Sequence, residues 1–461
     1  MPLPMGDERA MPNLMATPRG RLTAFFCLYL TEGIPLGFTA TAIGTHMRRM
    51  GLGPAEISTF VAALYLPWAW KWAIGPIVDV IAPRRFGRRR AWIIAMQLGM
   101  IATLGMAMPV DFVDELGLFT ALILAHNVFG ATQDVAIDAL ACEVLDEKER
   151  GLANGLMFGA AYLGQTIGGP GSLFLSDYLK KFYSDDVALK ASFAMVIVVL
   201  LLVNILVAWP LKEATPPPKP PSLEPPIKVA GREILQFMKD AWRSFTSSRG
   251  ALVAVFFALL PAGALSLNFA AGNSLAVELG FKDSELAMMG MFGTVLSGVA
   301  CILGGRLSDV LGRRKIILAC YLTTSLLTVV MALELQGHGW ILPLASEQIG
   351  SRVGAETLLA FYWTLNLVFA IPQGFAYGVK SAIFMDVTNK AVAATQFTAY
   401  MALSNFATSM SARWMGSAVE GWGYPKTMML DAGLGLLCLL CLPFLGKVIE
   451  KDDAKVNPLK G

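Results

Sequence analysis

The chain has 461 residues, of which 55% are hydrophobic and only 15% charged, and its mean hydropathy is +0.57. A soluble domain carries roughly 25% charged residues, so this balance excludes an ordinary soluble enzyme or nucleic-acid-binding protein and points to a chain crossing a membrane many times. The net charge of +3 marks no polyanionic partner, and the placement of the cations says more than their sum.

Residues 1–21 are polar and carry Pro2, Pro4, Pro12 and Pro18, which reads as a disordered tail. The apolar run behind them is too long for a signal-peptide core and has no small-residue cleavage site, so it is expected to be an uncleaved first membrane helix. About twenty apolar residues span a bilayer. Twelve such runs are expected, at 22–45, 57–80, 91–110, 116–141, 151–176, 190–210, 250–277, 286–307, 315–335, 357–383, 393–418 and 427–446. Residues 336–356, with Gly337, His338, Glu347 and Arg352, are too polar to count and read as an outer loop. With the N-terminus inside, most of the 37 Lys and Arg fall in inner segments, the asymmetry expected when both termini are cytoplasmic.

Between the sixth and seventh runs the chain is first Pro-rich, from Pro216 to Pro226, a stiff extended spacer. Ile234, Leu235, Met238, Trp242 and Phe245 then recur at helical spacing among Arg232, Lys239, Arg243 and Arg249. That pattern suits a short helix resting on the inner membrane surface, either as a plain linker or as a dock for a regulatory partner. The expected organisation is a tail at 1–21, a six-helix bundle at 22–210, a cytoplasmic linker with an amphipathic helix at 211–249, a second bundle at 250–446 and a tail at 447–461. The fold class is an all-α membrane protein of twelve transmembrane helices in two pseudo-repeat halves.

The repeat shows in one motif. Gly305-Arg306-Leu307-Ser308-Asp309-Val310-Leu311-Gly312-Arg313-Arg314-Lys315 lies between two apolar runs. The chain leaves a helix at the acid, turns on Gly312, which tolerates φ > 0, and re-enters past cations that resist translocation. Gly75, Asp79 and Gly87-Arg88-Arg89-Arg90 echo it with a longer step between acid and Gly.

Six plus six helices, a basic central linker and an acid–Gly–cation turn in each half resemble the major facilitator superfamily. In that family the acids and cations of these turns latch the cytoplasmic side while the transporter faces outward. The resemblance assigns that role to Asp79, Arg88, Arg89, Asp138, Glu143, Arg150, Asp309, Arg313 and Arg314; the bland alternative is that these charges only orient the loops. Three segments narrow the likeness: Leu66-Pro67-Trp68-Ala69-Trp70-Lys71-Trp72, Ala131-Thr132-Gln133-Asp134-Val135-Ala136-Ile137-Asp138, and Ala394-Thr395-Gln396-Phe397. They look like the branch of AmpG-like muropeptide permeases and acetyl-CoA transporters, over roughly residues 22–446. The branch implies proton-driven uptake of a bulky polar solute.

Charges within membrane helices are costly and usually functional. Glu32 lies ten residues into the first run, ~15 Å deep at 1.5 Å per residue, and Lys71 lies at similar depth in the second. The two are expected to pair. Asp134 and Asp138 share one face of the fourth helix at i and i+4, and two neighbouring carboxylates cannot both ionise cheaply. Asp138 lies near the cytoplasmic end, where the loop network with Arg150 could claim it, so Asp134 is the expected proton carrier, with Glu32 second. The expected cavity residues are Glu32, Lys71, His126, Gln165, Asn268, Asn366, Gln373 and Lys380. Each of the uncharged ones serves equally well as helix–helix glue.

The fifth run carries Gly155, Gly159, Gly164, Gly168, Gly169 and Pro170. Close helix packing accounts for the glycines, and their likeness to the Gly-Pro signature of antiporting exporters keeps an exporter as the second reading. No Gly-rich phosphate loop, His-Glu-x-x-His or Gly-x-Ser-x-Gly is present, which argues against ATP-driven transport and leaves a membrane enzyme little support. Cys438 and Cys441 form a CxxC inside an apolar run and read as packing. No cofactor, metal or nucleic acid is expected. The expectation is a monomeric secondary transporter of the inner membrane whose partners are a small-molecule substrate, protons and the lipid bilayer.

Overall fold

The computed structural model describes residues 13–80, 87–145, 150–213, 225–247, 249–267, 269–387 and 393–445. No β-strand occurs among them.

The first half comprises α1 (Pro18–Arg49), α2 (Pro54–Ala69 and Lys71–Val80), α3 (Arg88–Ala107), α4 (Leu116–Val144), α5 (Arg150–Thr166, Ile167–Gly171 and Ser172–Leu179) and α6 (Asp185–Ala208). The linker helix spans Pro226–Ser247. The second half comprises α7 (Arg249–Leu259 and Ala270–Leu279), α8 (Asp283–Leu311), α9 (Arg313–Gly337), α10 (Glu356–Asp386), α11 (Ala393–Trp422) and α12 (Tyr424–Leu445). Eight of these are long and apolar enough to cross a membrane by length and composition. The other crossings are α2, α5 and α7, each built in pieces, and the more polar α11. The face carrying the linker helix is the linker face below, and its opposite is the far face.

Local chemistry sets the ends. Thr17 caps α1 by accepting from Gly20 N–H, with Pro18 in the first turn, where its missing donor costs nothing. Glu56 and Glu285 reach back to the N–H groups of Gly53 and Lys282 at 2.9 and 2.8 Å, the returning arm of a capping box. The two repeat turns agree closely: Gly87 has φ +87 and ψ 151, and Gly312 has φ +93 and ψ 128. A side chain there would be strained.

Between lipid-embedded helices there is no hydrophobic driving force, so close packing by small residues replaces it. The α1–α5 contact is backbone against backbone. A Cβ on Gly168 would lie 1.8 Å from Ile34 O, and one on Gly33 would lie 2.1 Å from Ala161 O. Both helices widen to π-turns beside this crossing, at Phe38–Ile43 and Ile167–Gly171. Gly164, Gly168 and Gly169 of the fifth helix therefore have a packing role. The halves meet along α2 against α11 and α5 against α8, where Gly416 lets α11 approach Pro54 and Ser58.

Not every expected span is one continuous helix: the run at 57–80 restarts at Trp70, and in the run at 250–277 α7 breaks more widely, between Leu259 and Ala270. Pro261 offers no N–H, and Gly263 takes φ +73. The freed amides of Leu265 and Ser266 both donate to Asp431 Oδ2 of α12 at 2.8 Å. Gly263 N–H donates to Gly435 O at 3.0 Å. Irregular backbone at membrane depth is stable only where protein satisfies it, and Asp431, 1% exposed, does so here.

Candidate functional site

Four charged residues of the first half, Glu32, Lys71, Asp134 and Asp138, meet in one cluster. In α2 a tight turn carries Trp70 N–H to Pro67 O, and Lys71 restarts the helix beneath it. Its ammonium lies 5.6 Å from the Trp68 ring centre and points at α4. There it pairs with Asp134, and with Asp138 at 3.4 Å. Tyr29 of α1 donates to the other oxygen of Asp138. Glu32, one turn from Tyr29, stands within electrostatic reach of Lys71 and Asp138. Its Oε2 is buried without a hydrogen-bond partner.

This corrects one expectation: Lys71 does not pair with Glu32, because the restart of α2 turns it to α4. Asp134 and Asp138 share that one cation between them. Among the described residues Asp138 is held by Lys71 and Tyr29; the Arg150 side chain lies outside them. Tyr29 carried no periodic or charge signal to find it by.

Behind the cluster lies a buried amide network. Gln97 of α3 and Gln133 of α4 both donate to Thr31 Oγ1 of α1, at 3.1 and 3.0 Å. Asn204 of α6 donates to Gln97 Oε1 at 2.9 Å. In the Ala-Thr-Gln-Asp segment, then, Gln133 fastens the helices while Asp134 meets the cation. Gln396 of the second-half segment is fastened similarly, donating to Tyr400 OH at 2.9 Å, which in turn donates to Ala251 O at 3.0 Å.

A central cavity of about 150 Å³ lies between the halves. Thr41 and Gly37 of α1, Tyr65 of α2, Gln165 and Pro170 of α5, Asn273 of α7 and Thr294 of α8 contribute to its wall. Of the expected cavity residues, Gln165 lines it. His126 does not: its Nδ1 lies 3.1 Å from Met100 O and 3.5 Å from Thr103 Oγ1, packed between α3 and α4. Asn366 donates to Tyr362 O of its own helix at 2.9 Å. Gln373 is half-buried on α10 and outside the wall. Lys380 extends over the Phe384 ring at 5.9 Å, and Asn268 lies outside the described residues.

At the linker face each repeat turn carries an ion pair within its own half. Arg89 Nη2 meets Glu143 at 2.9 Å, bridging the start of α3 to the end of α4. Arg313 meets Asp386, bridging the start of α9 to the end of α10. Both pairs join the start of a half's third helix to the end of its fourth, with Arg313 directly after its turn glycine and Arg89 one residue later, and Asp386 escaped the sequence reading. Arg88 opens α3 in the first turn and Arg314 is exposed at the start of α9. The side chains of Asp79, Arg150 and Asp309 lie outside the described part of the structure.

The far face holds a constellation that sequence reading missed. Arg48, at the end of α1, meets Glu278, at the end of α7, at 2.6 Å, with side chains 1% and 0% exposed. Tyr424 OH and Leu344 N–H also donate to Glu278, at 2.6 and 2.9 Å. Arg48 donates further to Leu344 O at 2.6 Å and Leu52 O at 2.9 Å. Beside them Asp283 takes Arg49 at 2.6 Å and Lys180 at 3.2 Å. Every one of these three ion pairs joins one half to the other, so the far face is latched. Its charged residues lie beyond the expected ends of the first, fifth and seventh runs, and so read as loop charges.

The profile of the Major Facilitator Superfamily matches residues 22–407. The anhydromuropeptide permease of Escherichia coli is 23% identical over 442 residues, 95% of this chain and 82% of the relative. Putative transporter AmpG 4 of Rickettsia conorii is 20% identical over 439 residues, 93% and 97% of the two chains. Among solved structures, a D-xylose–proton symporter aligns with a TM-score of 0.62 at 14% identity, covering 92% of this chain and 96% of that one. A POT family transporter in complex with 5-aminolevulinic acid aligns at 0.64 and 12% identity, covering 95% and 99%. At such identities the structures speak for the fold alone. With the family profile spanning most of its length and the family's two-half fold in place, this chain belongs to the Major Facilitator Superfamily.

Proposed function

We propose that this transporter is a proton-coupled symporter that takes up a bulky polar solute of the anhydro-muropeptide class across the inner membrane. The observation that carries this reading is the cluster of Glu32, Lys71, Asp134 and Asp138 at membrane depth. Three acids share one cation there, and an ion at the bilayer centre needs a partner or a proton. Asp134 has Lys71 as its ion partner, whereas Glu32 keeps one buried oxygen with neither hydrogen bond nor ion pair, so the coupling proton is assigned to Glu32, and solute contact to Lys71 with Asp134, which lie outside the wall of the central cavity. Solute class rests on the likeness to the anhydromuropeptide permease along nearly the whole chain.

The coupling works through charge. With Glu32 ionised, the cluster's carboxylates outnumber its single cation; loading a proton on Glu32 reduces that excess negative charge and lowers the cost of moving the loaded site between aqueous faces. The two six-helix halves rock about the central cavity. The far-face latch of Arg48, Arg49, Lys180, Glu278 and Asp283 holds one state, and the repeat-turn charges hold the other. The linker face is assigned to the cytoplasm by its cations. A cysteine at Ser222 should resist impermeant labelling in intact cells and react after lysis.

The decisive experiment places purified protein in liposomes with labelled anhydro-muropeptide outside. An inward pH gradient should drive accumulation above equilibrium, abolished by a protonophore. Entry that only equilibrates, whatever the gradient, would overturn symport. No entry of this solute, alongside entry of an unrelated one, would overturn the solute class.

A further inference from the structure

The linker helix packs against the linker-face ends of α2 in one half and α11 in the other, and against α7. Its packed edge includes Phe245, whose ring sits 5.3 Å from that of Tyr400. The next edge is apolar and uncovered: Leu235, Met238 and Trp242 share one seam and are 52%, 49% and 70% exposed. Adjoining it, Lys228, Lys239 and Arg243 form an exposed basic row. The acids sit beyond that row, away from the apolar seam: Glu233 is exposed, and Asp240 is held by Gln236 at 3.0 Å. Apolar seam, basic row and acidic back follow one another around the helix in that order.

That order fits one kind of surface. A helix lying in the plane of a bilayer buries its apolar seam at the acyl boundary and keeps long basic side chains at headgroup level. Cations there gain from anionic lipid, and the gain fades within a Debye length. A soluble acidic partner would meet the basic row but would have no reason to find it edged by Trp242 at the level of the membrane helix ends. We propose that the linker helix is a binding site for anionic phospholipid headgroups, with Trp242 as its interfacial anchor and Lys228, Lys239 and Arg243 as its headgroup contacts. Because the same helix touches both halves, lipid held there acts on the linker-face mouth of the transporter. The proposal stands independently of which solute is carried.

The test uses the full chain in nanodiscs of brominated phosphatidylcholine, with and without phosphatidylglycerol, beside a Trp242→Phe variant. The fluorescence difference between the two proteins isolates Trp242. Bromine should quench that difference, and quenching should deepen when phosphatidylglycerol is present. Lys228→Gln, Lys239→Gln and Arg243→Gln together should abolish the deepening while leaving the zwitterionic result and the melting temperature in place. Equal quenching with and without phosphatidylglycerol would overturn the headgroup recognition. Absence of bromine quenching, with Trp242 open to aqueous acrylamide, would overturn the membrane site altogether and leave the seam to a soluble partner.

Discussion

Arg48 of the first half and Glu278 of the second form a wholly buried ion pair at 2.6 Å, and both ends are further satisfied by Leu52, Leu344 and Tyr424. A buried pair stabilises only when its remaining hydrogen-bonding capacity is filled, and losing one partner strands the other charge at a cost of about 3–5 kcal/mol. That cost falls on the far-closed state, where the pair exists. Glu278→Ala should therefore shift the protein toward far-face opening, since opening rehydrates the stranded Arg48. A spin-label pair across the far face, at the exposed positions Asp114 and Glu347, should report a longer distance in the variant. An unchanged distance would mean that Asp283 with Arg49 and Lys180 suffices to hold the face shut.

The Glu32 cluster leads to a sharper separation of roles. Glu32→Gln removes the proton-loading group and leaves the Lys71–Asp134 pair intact. It should abolish gradient-driven accumulation while sparing counterflow exchange, which needs no net proton movement. Asp134→Asn leaves Lys71 with Asp138 at 3.4 Å and should weaken solute affinity more than coupling. If Asp134→Asn uncouples and Glu32→Gln does not, the two acids exchange roles.

How much of this was readable beforehand depended on the range of the interaction. Span count, the linker helix and the glycine turns follow from hydropathy and local backbone chemistry, and Gly87 and Gly312 adopt the same positive-φ turn. Asp134 and Lys71 were legible as charges out of place, because lipid makes any ion conspicuous in sequence. Which ions meet was not legible. Lys71 could reach Glu32 or Asp134 by depth alone, and the choice was made by the offset of α2 at Trp70. The far-face latch was hidden for another reason: Arg48 and Glu278 sit at helix ends, where charge is the norm, and only tertiary packing buries them. The break in α7 needed Asp431, a residue far along the chain.

The glycines of α5 offer an internal control. A Cβ on Gly168 would collide with Ile34 O at 1.8 Å, whereas one on Gly159 would meet nothing within 4 Å. Gly168→Ala should force α1 and α5 apart at about 1–3 kcal/mol or more, seen as a lower melting temperature in detergent and reduced membrane abundance. Gly159→Ala should match the parent in both. Equal tolerance of the two would mean that the π-turns absorb the added methyl.

Asp431 poses a question of charge against hydrogen bonding. Its Oδ2 accepts two amides of the α7 break, and what those amides require is an acceptor. An Asn side chain supplies the same acceptor oxygen, so Asp431→Asn should keep the break and most of the stability. Asp431→Leu fits the volume but strands both N–H groups, at about 1–3 kcal/mol for each buried unsatisfied donor. Its melting temperature should fall well below that of the Asn variant. Hydrogen exchange across residues 260–267 should quicken in the Leu variant alone, since those amides lose their acceptor while the flanking helices keep theirs. If the Asn variant loses as much stability as the Leu variant, the carboxylate charge itself, rather than the acceptor, is what holds α7 in two pieces.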